Sequence, residues 1–315
     1  MKKPLIVLTG PTAVGKTKLS IALAKAVNGE IISADSMQVY RHMDIGSAKI
    51  TPEEMDGVPH HLVDVLEPTE DFNIVLFQQM AKDAMDKIYD KGRIPILVGG
   101  TGFYIQSVTR DIDFTSSDQD EHYRRELEEL AEQKGPAFLH DMLAKVDPKS
   151  AEDIHENNVK RVIRALEFYK QNGTRISEHN EEQKEHTSPY ALAYFVLNAP
   201  RPLLYERIDT RVDEMLKNGL TEEVKKLREM GCHRGMVSMQ GLGYKEILSY
   251  LDGTWSLEEA VYILKRDTRH FAKRQITWFK RERQVEWFDK QEFGYDSQAI
   301  LDAMLASLRE KKIIE

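Results

Sequence analysis

One stretch near the N-terminus has the residue types and the spacing of a phosphate-binding loop. Residues 10–17 lie between an apolar run at 5–8 and a helical pattern at 19–27. Glycine allows the backbone to point several N–H groups into one concavity, and the positive end of the following helix adds to the attraction for an anion. A lysine in this pattern reaches the terminal phosphates, and the next hydroxyl holds Mg²⁺. The predicted phosphate contacts are Gly10, Pro11, Thr12, Ala13, Val14, Gly15, Lys16 and Thr17, with Thr17 as the Mg²⁺ ligand.

A second candidate is the acid that ends the next predicted strand. Residues 30–34 read as a buried strand that leads directly into Asp35. In open parallel sheets, ligands collect at the carboxyl ends of the strands, so we expect Asp35 near the phosphate loop, as a base or as an organiser of Mg²⁺. An aspartate that only caps the following turn is the alternative.

The third strand pattern, at 94–98, ends in glycine instead of an acid. It continues into Gly-Gly-Thr-Gly at 99–102. An NTPase with such a loop is expected to carry an aspartate here for Mg²⁺. Small residues let a ligand approach the backbone, and the Thr101 hydroxyl is able to orient a substrate nitrogen. A plain turn is the alternative.

The length and the patterns of the chain indicate two domains. Its 315 residues exceed the size, roughly 250–300 residues, at which single cores stop growing. Alternating strand and helix patterns in 1–113 and 198–315 predict an α/β fold, a P-loop NTPase-like parallel sheet flanked by helices. Residues 114–197 carry seventeen acidic and eleven basic residues in helical patterns. They are predicted to form an inserted all-helical domain.

The composition narrows the class of protein. No apolar run of about 18 residues occurs, and a strand pattern follows directly after Lys3. We therefore expect neither a membrane span nor a secretion signal, and a cytoplasmic protein. Cys232 is the only cysteine, which excludes an internal disulfide and a Cys-x-x-Cys zinc site. The net charge of −8 argues against indiscriminate binding to polyanions.

Positive charge is nevertheless concentrated in one predicted helix. Between Lys265 and Arg283 there are eight lysines and arginines and two acidic residues. Basic residues interleaved with aromatic ones are typical of a nucleic-acid surface, although Trp278 is expected to pack rather than to stack on a base. A second basic cluster at helical spacing, which alone is usually a solvated face, consists of Lys160, Arg161 and Arg164.

Two arginines lie one turn apart in a helical pattern after residue 200. They are Arg207 and Arg211. A single arginine that reaches the phosphate loop from such a helix would neutralise a leaving phosphate.

Together these segments closely resemble the tRNA dimethylallyltransferases of the bacterial type, also called tRNA isopentenyltransferases. The matching stretches run over most of the chain in the family's order. They are residues 10–17, 35–41, 43–49, 99–101, 160–166, 243–246 and 273–280. The sequence departs from the family pattern at Val14, often a serine in relatives, and it does not contain the zinc-finger extension of eukaryotic members.

The resemblance implies an activity and a set of roles. A dimethylallyl group would pass from dimethylallyl diphosphate to N6 of the adenosine just 3′ of the anticodon, in tRNAs that read codons beginning with U. Asp35 would be the base, Thr101 would hydrogen-bond near the target adenine, and Arg211 would join Lys16 on the diphosphate. The implied tRNA contacts are Asp35, Ser36, Met37, Gln38, Thr101, Arg124, Lys160, Arg161, Val162, Ile163, Arg164, Gln240, Lys245, Lys273, Arg274 and Lys280.

Two other functions remain as alternatives at this point. A small-molecule kinase would use ATP at the loop and Asp35 to activate a hydroxyl, but the basic helix and the missing acid after Val98 count against it. A non-enzymatic RNA-binding module leaves the phosphate loop unexplained. The expected partners are the tRNA anticodon stem-loop and dimethylallyl diphosphate, with Mg²⁺ as cofactor. Neither a membrane nor an obligatory protein partner is expected, and the chain is predicted to be a monomer.

Overall fold

The structure, a computed structural model, describes residues 2–114 and 121–315. The chain divides into two compact units, which we call the sheet unit (Met1–Thr109 with Ser188–Glu315) and the helical unit (Arg110–Thr187). The helical unit therefore ends at 187 and not at 197 as expected. The reason is that residues 191–198 form a strand of the sheet.

In the described residues, the sheet contains six parallel strands in the order β3-β2-β4-β1-β5-β6. They are β1 (Pro4–Thr9), β2 (Gly29–Ala34), β3 (His60–His61), β4 (Ile94–Gly99), β5 (Ala191–Asn198) and β6 (Glu286–Asp289). Leu5 packs on one face of the sheet and Ile6 on the other, each in a separate apolar core. Burial on both faces explains the unbroken apolar runs in the sequence.

Helices cover both faces of the sheet, which confirms the predicted α/β class. In chain order the sheet unit contributes α1 (Lys16–Ala26), α2 (Pro52–Met55), α3 (Ile74–Asp90) and α4 (Gly102–Thr109). The helical unit contributes α5 (Glu121–Lys134), α6 (Pro136–Val146), α7 (Pro148–Asp153), α8 (Val159–Asn172) and α9 (Ile176–Glu185). The sheet unit resumes with α10 (Arg201–Lys217), α11 (Leu220–Glu229), α12 (Tyr244–Leu251), α13 (Leu257–Phe279) and α14 (Ser297–Glu310).

Two elements differ from their predicted bounds. Residues 60–66 have a short apolar pattern that predicts a strand. Only His60–His61 form one, because the left-handed backbone of Leu62 (φ 61°) and Asp64 (φ 55°) breaks the extended run. The basic helix α13 begins earlier than expected, at a capping box formed by Ser256 and Glu259, and it ends before Lys280.

The helical unit has an apolar core of its own. Its centre includes Leu127, Leu139 and Leu143, none of which has exposed surface. The buried Asp147 accepts hydrogen bonds from the backbone and the hydroxyl of Ser177, at 3.0 and 2.7 Å, which ties α9 to the start of α7. In the ranges that the structure describes, no helix is long and apolar enough to cross a membrane.

Candidate active site

The phosphate loop, residues 10–17, joins β1 to α1 and depends on left-handed backbone. The φ angles of Gly10, Ala13 and Gly15 are +146°, +63° and +90°. A Cβ atom on Gly10 would lie 2.4 Å from the carbonyl oxygen of Leu197, so only glycine fits beside the end of β5. Because α1 begins at Lys16, the free N–H groups of its first turn adjoin the loop, as an anion site requires.

The Lys16 ammonium lies in the loop and forms no ion pair with the residues that the structure describes. Its Nζ donates to the carbonyl oxygens of Gly10 and Pro11, at 2.9 and 3.0 Å. Burial, and then the charge of Arg211, lower the pKa of Lys16 to about 8, while the Asp35 carboxylate acts in the opposite direction. A cation held in this way gains stability when an anion enters the loop.

Asp35 follows β2 and uses its two carboxylate oxygens differently. Oδ1 accepts hydrogen bonds from the backbone N–H groups of Met37 and Gln38, at 2.8 and 3.4 Å. No donor among the described residues bonds Oδ2. Burial raises the pKa of Asp35, partly opposed by the two N–H groups and by Lys16. One oxygen therefore caps the turn, as the alternative interpretation expected, and the other is free to accept a proton.

The glycine turn after β4, residues 99–102, is filled by protein atoms. A Cβ on Gly99 would lie 2.1 Å from the carbonyl oxygen of Ala34, so this glycine is needed where β4 meets β2. Thr101 is half-buried, and its carbonyl oxygen accepts from the N–H of Tyr104 at 3.0 Å in the first turn of α4. The expectation that these small residues leave room for a ligand is therefore wrong for Gly99.

The other glycines of the turn receive side chains from α13. A Cβ on Gly100 would lie 2.1 Å from Nε2 of Gln275, and one on Gly102 would lie 2.2 Å from Cδ1 of Trp278. The Trp278 ring is half-buried and meets Phe103 edge to face, with centroids 6.1 Å apart. Its indole N–H is buried and has no partner among the described residues.

Gln275 links the glycine turn to the phosphate loop. Its side chain is buried, its Oε1 accepts from the N–H of Thr12 at 2.9 Å, and its Nε2 donates to the carbonyl oxygen of Gly100 at 2.9 Å. One amide thus fixes two backbone segments of the candidate site. The sequence did not single out this residue, because a glutamine inside a basic helix carries no local signal of such a contact.

Arginines of α10 add positive charge to this end of the sheet. Arg211 is partly buried, burial lowers its pKa, and its charge lowers the pKa of Lys16. Arg207, one turn earlier, acts in the same way on Lys290. Among the described residues, none of these four cations forms an ion pair.

Lys290 is a further candidate for the site, which its sequence context does not indicate. It follows β6 directly, and its Nζ lies 3.4 Å from the carbonyl oxygen of Val14 in the phosphate loop. No motif surrounds it. The signal that could have found it is the one that found Asp35, a charged side chain at the carboxyl end of a parallel strand.

The segment after Asp35 is occupied by internal contacts. Gln38 donates from Nε2 to the carbonyl oxygens of residues 47 and 48, at 3.4 and 3.2 Å. Ser36 and Met37 are half-buried, and the Met37 sulfur lies 2.5 Å from where a Cβ on Gly241 would stand. Any contact of Gln38 with RNA must use what its internal hydrogen bonds leave free.

The matching stretch at 43–49 is held in place by one carboxylate. Glu223 accepts from the backbone N–H groups of residues 44, 45 and 46, at 2.9, 2.7 and 3.0 Å, and from the hydroxyl of Tyr244 at 2.9 Å. The Tyr244 ring fills the space beside Gly46, where a Cβ would lie 2.6 Å away. Residues 44–46 and Tyr244 therefore have a structural role within these two matching stretches.

The predicted basic contacts on α13 and at its C-terminal end differ in their surroundings from other basic residues of the helix. Lys265 pairs with Asp213 at 2.6 Å and Arg269 with Asp209 at 2.6 Å, so both side chains are committed to α10. Three others are exposed and have no ion pair among the described residues, namely Lys273, Arg274 and Lys280. An open groove of about 460 Å³ is lined by His270, Lys273, Arg274, Thr277, Trp278 and Arg281.

The two remaining candidates in the sheet unit lie at and before α12. Gln240 is exposed and donates from its side chain to the carbonyl oxygen of Arg234. Lys245 is half-buried, with its Nζ 3.5 Å from Oε1 of the buried Glu246.

The helical unit places its candidate RNA contacts unequally. Arg124 forms a bidentate pair with the buried Glu167, at 2.8 and 2.7 Å, which raises the pKa of the arginine. Val162 and Ile163 are buried in the core of the unit, so their side chains cannot make the expected RNA contact. Of the three predicted cations, Lys160 and Arg161 are exposed and Arg164 is half-buried.

Known proteins resemble the chain along nearly its whole length. The sequence profile of the IPP transferase family matches residues 38–282, and that of isopentenyl transferase matches residues 3–64. A tRNA dimethylallyltransferase of Lachnoclostridium phytofermentans is 64% identical over 313 residues, which cover 99% of this chain and 100% of the relative.

Solved structures agree with this. The full-length tRNA isopentenylpyrophosphate transferase of Bacillus halodurans superposes with a TM-score of 0.74 at 48% identity, covering 99% of this chain and 98% of that one. A eukaryotic dimethylallyltransferase crystallised acting on tRNA gives 0.79 at 33% identity, covering 91% and 74%. The protein therefore belongs to the IPP transferase family, the tRNA dimethylallyltransferases, and has their P-loop NTPase-like fold.

Proposed function

We propose that the protein transfers a dimethylallyl group from dimethylallyl diphosphate to N6 of the adenosine just 3′ of the anticodon, in tRNAs that read codons beginning with U. The observation that carries the proposal is the position of Asp35 near a phosphate loop: within the described part of the chain, its Oδ2 accepts no hydrogen bond and the lysine of the loop forms no ion pair. A proton acceptor beside an anion site is what this transfer requires.

In the proposed step, the N6 lone pair forms a bond to the allylic carbon, and the bond from that carbon to oxygen breaks, with its electrons going to the diphosphate. The N6 proton passes to Asp35. Such a base contributes typically about 10²–10⁴-fold. The raised pKa of Asp35 makes its carboxylate a stronger base, and the Thr101 hydroxyl at the neighbouring strand end would orient the adenine.

The departing diphosphate would be bound by Lys16, Arg211 and the N–H groups of the phosphate loop. Mg²⁺ bound beside it would neutralise further charge. Thr17 fits this ion, because the residue is exposed in the first turn of α1 and Mg²⁺ prefers phosphate oxygens, water and only one or two protein ligands. Among the described residues, no group of three acidic, His or Cys side chains would hold a metal without the diphosphate.

The proposed partners are the tRNA anticodon stem-loop and the donor, bound by a monomer in the cytoplasm. Exposed cations in both units support RNA binding. The kinase alternative is not favoured, because the chain belongs to a prenyltransferase family and the strand end that would carry a metal-binding acid carries Gly99 instead.

The proposal is tested by incubating the protein with unmodified tRNA and either dimethylallyl diphosphate or ATP, then analysing the nucleosides by mass. We expect an adenosine heavier by one C5H8 unit with the first donor alone. A tRNA with guanosine at the target position is the matched control and should stay unchanged. Phosphate transfer from ATP, without any prenylated adenosine, would refute the proposal.

A further inference from the structure

A cation outside every sequence motif lies beside the phosphate loop. We propose that Lys290 binds the diphosphate of the donor, and with Arg207 holds the leaving group on the side of the loop that faces β6. This inference rests on the proposed function, because it names a further residue of the same donor site.

The position of Lys290 is fixed by the sheet. Its backbone N–H donates to the carbonyl oxygen of Asn198 at 2.9 Å, which anchors it to the end of β5. From there its Nζ lies 3.2 Å from where a Cβ on Gly15 would stand and 3.4 Å from the carbonyl oxygen of Val14. The ammonium therefore stands over the residue that precedes Lys16.

The contact with Val14 does not explain a lysine at this place. A separation of 3.4 Å is beyond the usual range for a strong N–H to oxygen hydrogen bond. A side chain held this loosely can turn toward a phosphate oxygen at little cost.

The charges around Lys290 indicate an anion. Burial, and then the nearby Arg207, lower the pKa of Lys290, so two like charges face one another here. Lys16 and Arg211 form a second pair of like charges at the same loop, although Asp35 acts on Lys16, and Glu54 and Glu214 act on Arg211, with the opposite sign. None of the four cations forms an ion pair among the described residues. Like charges brought together are unfavourable until an opposite charge joins them, and a diphosphate supplies several negative charges in a small volume.

The test compares Lys290→Gln with Lys290→Arg, and uses Lys312→Gln, an exposed lysine of the same unit, as the matched control. Binding of inorganic diphosphate with Mg²⁺ is measured by calorimetry, and KM for dimethylallyl diphosphate is measured with saturating tRNA. We expect Lys290→Gln to lower the affinity for diphosphate and to raise KM for dimethylallyl diphosphate, each by about tenfold or more, since a charge-assisted hydrogen bond is lost. Lys290→Arg should recover most of this. tRNA affinity and melting temperature should stay unchanged.

Two results would overturn the inference. One is diphosphate affinity in Lys290→Gln equal to that of the parent protein. The other is a loss that follows a lower melting temperature and is not recovered by Lys290→Arg, because that pattern belongs to a structural lysine. If the parent protein itself fails to bind diphosphate, the proposed donor site fails, which is distinguishable from a failure of Lys290 alone.

Discussion

At the scale of single residues, Asp35 and Lys16 combine structural and chemical roles. Asp35 caps its own turn with one oxygen and leaves the other free. Lys16 donates hydrogen bonds to two carbonyl oxygens of the phosphate loop and has no ion pair in the ranges that the structure describes. A variant that tests the chemical role of either residue must therefore preserve its structural hydrogen bonds.

We expect Asp35→Asn to keep tRNA and diphosphate affinity and to lower kcat by about a hundredfold or more, because the amide keeps the turn contact and loses the proton acceptor. Single-turnover rates with bound tRNA measure this directly, and an unchanged melting temperature is the control for the fold. Near-normal turnover would remove Asp35 from the role of base.

We expect the affinity for dimethylallyl diphosphate, without tRNA, to fall as the pH rises through about 8, where Lys16 loses its charge. The sign follows because only the charged ammonium attracts the diphosphate, so binding above this pH takes up a proton. Calorimetry in buffers of different ionisation heat measures the uptake.

The control for this titration is Lys16→Arg. Because the arginine stays charged over this pH range, any pH dependence of donor affinity in this variant comes from other groups. Identical pH profiles in the two proteins would assign the change to another residue. A further variant, Lys16→Ala, should lower kcat/KM for dimethylallyl diphosphate and leave the affinity for tRNA nearly unchanged.

Sequence alone could predict Asp35 and Lys16 because their types and local spacing carry the signal. Gln275 and Lys290 were not predictable in this way. Each reaches the phosphate loop from more than 250 positions away along the chain, so only the fold brings them there. Val162 and Ile163 are instead predicted as RNA contacts but are buried. The prediction follows from treating the whole matching segment as a contact, although such a segment contains buried residues as well as exposed ones.

At the scale of elements, α10 and α13 each serve two neighbours. On α10, Arg207 and Arg211 lie one turn apart, and the acids at 209 and 213 pair instead with α13. On α13, Gln275 is buried against the loop, whereas Lys273 and Arg274 are exposed. Adjacent positions on one helix therefore differ in role: one side chain packs against the phosphate loop, and its neighbours face solvent.

We expect the double variant Lys273→Gln and Arg274→Gln to weaken tRNA binding and to flatten its salt dependence, because fewer counterions are released. The matched control neutralises Lys265 and Arg269 on the same helix, which should lower stability slightly and leave the salt slope unchanged. Anisotropy titrations over a range of salt concentrations measure both. Equal slopes in the two double variants would contradict a separate RNA-binding face.

We expect Gln275→Met to lower the free energy of unfolding by about 1–3 kcal/mol, because the N–H of Thr12 and the carbonyl of Gly100 lose a partner. KM for the donor should rise as the loop loses its support. Thermal melting and donor titrations measure these effects. A variant with normal stability and normal KM would show that the link is dispensable.

At the scale of the whole molecule, the carboxyl ends of the strands carry the candidate site, and the helical unit carries further charge of its own. The α/β class and the helical insertion were predictable from apolar runs and helical periodicity. The predicted boundary at 197 is too late, although the apolar run at 191–197 predicts a strand and marks where the chain rejoins the sheet.

We expect the exposed cations of both units to act on the same tRNA. Neutralising Lys160 and Arg161 should lower the salt slope of tRNA binding by an amount that adds to the effect of neutralising Lys273 and Arg274. Dimethylallyl diphosphate binding should stay unchanged in every combination. If all four substitutions leave affinity and slope as they were, recognition must run through residues 35–38 and the turn at 241–243.

The filled glycine turn has a consequence for how this sequence can vary. Since Trp278 occupies the space beside Gly102, the two positions cannot change independently. Gly102→Ala alone should lower the stability of the protein, because the new Cβ clashes with the Trp278 ring. A second substitution such as Trp278→Leu leaves room for that Cβ and should restore the stability. Across related sequences, positions 102 and 278 should covary, as should positions 100 and 275. Substitutions in the glycine turn should therefore be accompanied by substitutions in α13, which is distant along the chain.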